Sequence, residues 1–182
     1  MIEVRFHGRG GQGAVTSAEL AALAAIEEGK FAQAFPSFGP ERRGAPVTAF
    51  LRVDDKPIRL REKVYEPNIV VVLDPTVMSI TQVDEGLKDD GILIINTNRD
   101  AADLRAQFGF SQNLALVDAS RIALETLGLP ITNTVMLGAL VKASGLVDPK
   151  AINGPLARRF GSIAPKNQKA YERAFTETKL EE

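Results

Sequence analysis

The chain has 182 residues of which 45% are hydrophobic, enough to bury one full core, so a single domain over 1–182 is expected. Its 22 basic residues are balanced by 23 acidic ones, which leaves no electrostatic footprint for nucleic acid; no apolar run approaches the roughly 18 residues of a membrane span and the N-terminus reads as a strand, not a leader, so no membrane partner and a cytoplasmic location are expected. Without cysteine the chain can hold neither a thiolate-ligated iron–sulfur cluster nor a disulfide, and a single histidine makes it a poor zinc protein.

Residues 2–7 alternate in polarity and read as a first strand. The strand runs into Gly8-Arg9-Gly10-Gly11-Gln12-Gly13, where four of six residues are glycine. A helix is expected next: Thr16 or Ser17 is suited to cap it, Glu19 stands near the first turn, and Leu20, Leu23, Ala24 and Ile26 form an apolar stripe. Strand, glycine loop and helix open a doubly wound α/β domain, and the loop leaves bare backbone N–H groups at the helix N-terminus, a natural seat for an anion.

Gly8, Gly10 and Gly13 satisfy G-x-G-x-x-G in the context that motif needs. A dinucleotide reading also requires an acidic residue at the tip of strand two, about 20 residues on. None stands there: the strand at 31–35 ends in Pro36-Ser37-Phe38-Gly39, and Glu41 beyond it is followed by Arg42-Arg43. Two readings remain, a tight turn with close helix–sheet packing and a bound or docked anion, and Arg9 inside the loop tilts toward the second. His7, the only imidazole, stands at the strand end and either pairs with a phosphate or carboxylate or serves as a satisfied structural donor, the commoner role. No Ser-His-Asp or Cys-His order supports independent hydrolysis.

Glu28-Gly29-Lys30 stops the first helix. The loop at 36–46 holds three prolines and two glycines with Glu41, Arg42 and Arg43, which suits either an ordered contact surface or a solvated connector. Phe31, Phe35, Phe38 and Phe50 around the second strand are expected in the core. Residues 47–53 and 57–61 flank Asp54-Asp55-Lys56 and read as an antiparallel hairpin; in its second arm Ile58 and Leu60 alternate with Arg59 and Arg61, a face either wetted or met by acidic groups of a partner.

Continuous apolar runs at 69–73, 92–95 and 114–117 mark central parallel strands buried on both faces. Asp74, before Pro75 at the first of their carboxyl ends, is expected as a turn former or helix cap rather than a ligand contact. Helical patterns cover 101–108 and 119–127, the latter closed by Gly128 and Pro130. This alternation predicts an α/β fold: one doubly wound, mostly parallel sheet with right-handed crossovers, helices on both faces and an antiparallel hairpin. Residues 133–144 form a helix apolar on nearly every side, where Asn133-Thr134 suit a cap and Gly138 with Ala139 admits another backbone, in the core or at a subunit interface. Asp148-Pro149 opens a helix to about Phe160 with Arg158-Arg159 near its end. A last helix covers 165–178 with Ala170 and Phe175 inward, and Leu180-Glu181-Glu182 are expected to fray.

Three blocks carry a resemblance: His7-Gly8-Arg9-Gly10-Gly11-Gln12-Gly13; Ala34-Phe35-Pro36-Ser37-Phe38-Gly39-Pro40-Glu41-Arg42-Arg43-Gly44-Ala45-Pro46-Val47; and Asn133-Thr134-Val135-Met136-Leu137-Gly138-Ala139-Leu140. Together they resemble the gamma subunit of 2-oxoacid:ferredoxin oxidoreductases, most closely the pyruvate or ketoisovalerate type. The blocks keep the family's order and the likeness covers nearly the whole chain, with Ala45 standing where many relatives have a further glycine.

The resemblance implies a complex that oxidatively decarboxylates a 2-oxoacid with coenzyme A to acyl-CoA, CO2 and reduced ferredoxin, using thiamine pyrophosphate, Mg2+ and [4Fe-4S] clusters. Alpha, beta and delta-type subunits are the implied partners, with ferredoxin reached through the complex. Lacking cysteines and an obvious acidic motif for magnesium, this chain is expected to bind none of these cofactors alone, to carry no catalytic or metal residue, and to be inactive by itself. Its implied share is scaffold, with Arg9, Gly10, Gly11, Gln12, Gly13, Arg42 and Arg43 as candidate contacts to coenzyme A, another anion or a sister subunit, and with the 133–144 helix at least shared with a subunit interface. A freestanding Rossmann-like nucleotide- or anion-binding module is the alternative, resting on the glycine loop alone.

Overall fold

Those apolar patterns become one seven-stranded sheet in the computed structural model, which describes residues 1–37 and 44–181. Strand β1 (Ile2–Arg9) pairs in parallel with β4 (Ile69–Val72), and β5 (Ile92–Asn96) and β6 (Asn113–Val117) continue in parallel beyond it. On the other side of β1, β3 (Pro46–Asp54) pairs antiparallel with it, and β2 (Phe31–Pro36) pairs antiparallel with β3. A short β7 (Lys179–Glu181) lies antiparallel to β6. The spatial order is β2-β3-β1-β4-β5-β6-β7, and β1, β2, β4, β5 and β6 run the same way, the mostly parallel sheet expected.

The period of two along the central strands sorts their side chains into two cores. Val71, Ile94 and Ala115 face a layer made by α1 (Ala14–Glu27), α3 (Ala119–Leu127), α4 (Asn133–Ser144), α5 (Asn153–Phe160) and α6 (Ala164–Glu177). Val70, Val72, Leu93, Ile95, Leu114 and Leu116 face α2 (Ala101–Phe108) and the 3₁₀ turn Pro75–Ser79. Each such side chain, taken fully out of water, contributes about 1.5–3 kcal/mol, so these strands anchor the fold.

The antiparallel hairpin exists, but it is β2 with β3. Residues 57–61 form no strand, because both edges of β3 are already occupied by β1 and β2. Ile58 is held instead through its carbonyl, which accepts from Gln33 Nε2 at 3.1 Å, and Leu60 stays exposed. The C-terminal residues Lys179–Glu181 do not fray: their backbone completes the outer edge of β6. Phe50 is buried and meets Phe35 with ring centroids 5.2 Å apart, whereas Phe31 is exposed and Phe38 lies outside the described residues.

Helix α1 departs from its expected cap and stripe. It begins at Ala14 after Gly13, whose φ of 83° is left-handed, and it has no side-chain cap. Ser17 sits inside the first turn, its hydroxyl 3.1 Å from the Asn133 carbonyl that accepts from it. Leu20 and Ala24 are buried, but Leu23 and Ile26 are exposed, since Ala18, Ala21, Ala22 and Ala25 seat the helix on the sheet.

Helix α4 is core. Every residue from Asn133 to Val141 is buried by this chain's own α1, α6 and sheet. The backbone that Gly138 admits belongs to α6: a Cβ on Gly138 would stand 2.3 Å from the Tyr171 carbonyl oxygen. The expectation of a helix shared with a subunit interface is therefore corrected for this stretch.

Candidate functional site

The chain leaves β1 toward β2 and β3 on one side of the sheet and resumes at β4 on the other, so the glycine loop after β1 lies at a topological switch point, where open α/β sheets place ligands. The loop is shaped by contacts from three parts of the sequence. Gly10 N–H donates to the Ala45 carbonyl at 2.8 Å and Gly44 N–H donates to the Gly10 carbonyl at 3.1 Å, clasping the loop to the start of β3. Gln12 folds back so that its Oε1 accepts from Arg9 N–H at 2.7 Å, while its Nε2 donates to Asp74 Oδ2 at 2.6 Å.

Asp74 caps the 3₁₀ turn after β4, accepting on Oδ1 from Thr76 N–H at 2.9 Å and from Thr76 Oγ1 at 2.7 Å. Burial alone would raise its pKa; the hydrogen bonds from Thr76 and Gln12 and the charge of Arg9 outweigh burial and hold it below the ordinary carboxylate value. Arg9 is drawn into the same cluster: its Nε donates to Thr76 Oγ1 at 2.9 Å and lies 3.6 Å from Asp74 Oδ2, and its Nη1 donates to the Gly44 carbonyl at 3.0 Å. The Thr76 hydroxyl thus donates to the carboxylate and accepts from the guanidinium. Asp74 is the helix cap the sequence suggested, and also the counter-ion of the loop.

Two glycines here meet geometric demands that other residues resist. Gly11 has φ 94° and open space around it. At Gly13 the left-handed backbone is joined by a close approach, since a Cβ would stand 2.7 Å from Asn133 Nδ2. The first and third motif blocks, some 120 residues apart, therefore touch at the start of α1.

His7 is buried, and Arg5 Nε donates to its Nε2 at 3.1 Å, so this nitrogen is an acceptor and the ring proton is assigned to Nδ1. Burial first, and the Arg5 charge second, lower the His7 pKa to about 4. The imidazole is structural and neutral, accepting where a donor was expected. Arg5 in turn ties its Nη2 to the carbonyls of Val83 and Glu85.

Of the candidates from sequence, Arg9, Gly10, Gly11, Gln12 and Gly13 stand together at the switch point, while Arg42 and Arg43 lie outside the described residues. Thr76, Asn133 and Ser17 belong to the same neighbourhood and were not singled out for it; only the third motif block hinted at Asn133. Beside the loop, an open recess of about 380 Å³ at the carboxyl ends of β4 to β6 is lined by Thr76, Asn96, Arg99, Phe108 and Ser120. Its buried Asn96 is spent on structure, donating from Nδ2 to the Leu73 carbonyl at 2.9 Å and accepting from Ser120 N–H at 3.2 Å.

A glycine loop at the switch point of a mostly parallel sheet, braced by Arg9, Gln12 and Asp74, defines a Rossmann-like α/β domain. Residues 3–177 match the family described as pyruvate ferredoxin/flavodoxin oxidoreductase. The chain is 56% identical over 180 residues to the pyruvate/ketoisovalerate oxidoreductases common subunit gamma of Thermococcus kodakarensis, covering 98% of this chain and 97% of that one. It is 51% identical over 178 residues to the pyruvate synthase subunit PorC of Methanothermobacter thermautotrophicus, covering 97% and 96%. The crystal structure of a pyruvate oxidoreductase subunit PORC from Thermotoga maritima superposes with a TM-score of 0.90 at 41% identity, covering 100% of this chain and 98% of that one. The chain belongs to the pyruvate ferredoxin/flavodoxin oxidoreductase family, as a gamma (PorC) type subunit of a 2-oxoacid:ferredoxin oxidoreductase.

Proposed function

We propose that the chain serves, in the cytoplasm, a complex that oxidatively decarboxylates pyruvate with coenzyme A to acetyl-CoA, CO2 and reduced ferredoxin, together with alpha, beta and delta-type subunits. Thiamine pyrophosphate with Mg2+ would supply the decarboxylation chemistry and [4Fe-4S] clusters the electron path, and the partners would hold both. This chain has no cysteine, and among the described residues no group of three or more histidine or carboxylate side chains is placed to hold a metal. Its own share is to shape the complex and to present the Arg9–Gly13 loop, with Arg42 and Arg43, to coenzyme A or to a sister subunit.

The observation that carries this role is the uncapped first turn of α1 beside left-handed Gly11 and Gly13. No side chain caps the backbone donors of that turn, which suits a phosphoryl group. Arg9 braces the loop from inside, so Arg42 and Arg43 are the guanidinium forks assigned to an incoming anion. In the assembled complex, replacing Arg42 and Arg43 together by Ala is expected to raise the KM for coenzyme A several-fold or to weaken assembly, with the chain still folded. Turnover of a 2-oxoacid by the chain purified alone would overturn the division of labour.

A further inference from the structure

Residues 57–61 find no strand edge, yet the segment around them is held in one shape. β3 turns Ala49, Leu51 and Val53 into the five-helix core and Arg52 to the opposite face, where that residue is only 1% exposed. Its guanidinium donates from Nε to Glu3 Oε1 at 2.7 Å, from Nη1 to the Glu62 carbonyl at 2.9 Å and from Nη2 to the Lys63 carbonyl at 3.2 Å. Gln33, its cross-strand neighbour on β2, holds the Ile58 carbonyl in the same way, and Val64 is buried at the end of the segment. A buried guanidinium is costly unless its donors are used. Two of these three contacts go to the backbone of a surface segment, which fixes that backbone before any partner arrives.

The side chains carried on this strap are engaged by nothing within the chain. Lys56, Arg59, Arg61 and Lys63 set four cations against the single carboxylate of Glu62 over residues 56–63, in a chain whose formal net charge is -1. All four are exposed, and among the described residues none of their side chains forms a hydrogen bond or an ion pair. Every other arginine of the described residues bonds within the chain. Leu60 and Tyr65 stand among the cations, 41% and 67% exposed. Arginine and tyrosine are the residue types enriched where proteins meet.

We propose that the strap from Lys56 to Tyr65 is a docking surface for an acidic face of a sister subunit, with Arg59 and Arg61 pairing its carboxylates and Leu60 and Tyr65 packed beside them. This rests on the reading that the chain works within a multisubunit complex, and it needs no contact with coenzyme A. A second copy of this chain fits poorly, since a two-fold axis would bring the arginines of two straps against each other. A partner that comes and goes would leave Leu60 and Tyr65 in water between visits, whereas a permanent subunit keeps them covered.

The test is charge reversal, Arg59→Glu with Arg61→Glu, in the full chain reconstituted with its sister subunits and followed by size exclusion over a dilution series. The melting temperature of the chain by itself is expected to stay unchanged, since neither guanidinium is bonded within it. The Kd for joining the rest of the complex is expected to rise about tenfold or more, and added salt to weaken the unaltered pairing more steeply than the reversed one. Arg59→Gln with Arg61→Gln is expected to weaken assembly several-fold and carries the test if the reversed chain does not fold. Lys166→Glu with Lys169→Glu makes the same change in net charge on α6 and is expected to leave assembly unchanged; an equal loss there would assign the effect to bulk charge and overturn the proposal. Assembly untouched by reversal at the strap would also overturn it. Intact assembly with a several-fold higher KM for ferredoxin would give the surface to the electron carrier, and loss of self-association by the chain alone would give it to a second copy; either result overturns the assignment to a sister subunit. If the unaltered chain itself fails to co-elute with the sister subunits, the complex reading falls and the proposal with it, whereas co-elution of the unaltered and reversed chains alike removes the strap only.

Discussion

Gln12 Nε2 donates to Asp74 Oδ2 across 2.6 Å, joining the loop after β1 to the turn after β4 on the two sides of the switch point. The same side chain accepts from Arg9 N–H, so one glutamine sets both the curl of the loop and the position of its carboxylate neighbour. Gln12→Leu, of similar volume, is expected to lower stability by about 1–2 kcal/mol, because it strands a backbone donor and removes one of the hydrogen bonds on Asp74. The check is a denaturant titration in which the midpoint falls and the slope stays constant.

Gly11 and Gly13 separate two costs that glycine substitutions usually mix. Gly11→Ala, with open space at the Cβ, is expected to lose about 1 kcal/mol from the left-handed backbone alone. Gly13→Ala adds a collision with Asn133 and is expected to lose about 2–4 kcal/mol. Equal losses in parallel urea melts would mean that the Asn133 side chain moves aside freely.

Gly138→Ala drives a methyl group into the Tyr171 carbonyl and the Ala174 side chain of α6, atoms that cannot retreat without moving the helix. A loss of about 2–4 kcal/mol is expected, visible as a lower melting temperature. An unchanged melting temperature would contradict the close α4–α6 contact.

The buried His7 sets a pH dependence. Its folded pKa of about 4 lies below the unfolded 6.5, so between these values the unfolded chain binds the extra proton. The contribution is complete above about pH 6.5 and is lost as pH falls toward 4, on the order of 3 kcal/mol over the window. His7→Gln retains an acceptor for Arg5 without titrating there. The difference in unfolding free energy between the two proteins is therefore expected to change across pH 4–6.5 and to be flat above it; a flat difference throughout would place His7 in contact with water.

Much of the fold was legible because local signals agreed. Helices over 101–108, 119–127 and 133–144 appear with the bounds read from sequence, each followed by a left-handed glycine at Gly109, Gly128 or Gly145. The three apolar runs, each four or five residues long, became β4, β5 and β6, where strands buried on both faces accommodate such continuity. Residues 57–61 misled because alternation specifies a suitable strand and not an available edge. Residues 179–181 misled in the opposite sense, since their pairing with β6 has no local signature. At the loop, sequence located the glycines, but the embrace of Arg9 by Thr76 and Asp74 joins residues 65 or more positions apart, and that of Gly13 by Asn133 spans a still longer interval.

The sheathing of α4 constrains how the complex is taken apart. A helix buried within its own subunit from Asn133 to Val141 leaves a neighbour only its last turn to grip, so changes along that buried length wound the monomer before they touch assembly. An engineer wishing to uncouple the subunits while sparing this chain should leave that helix alone and work at the rim, where the loops after β1 and β4 come to the surface.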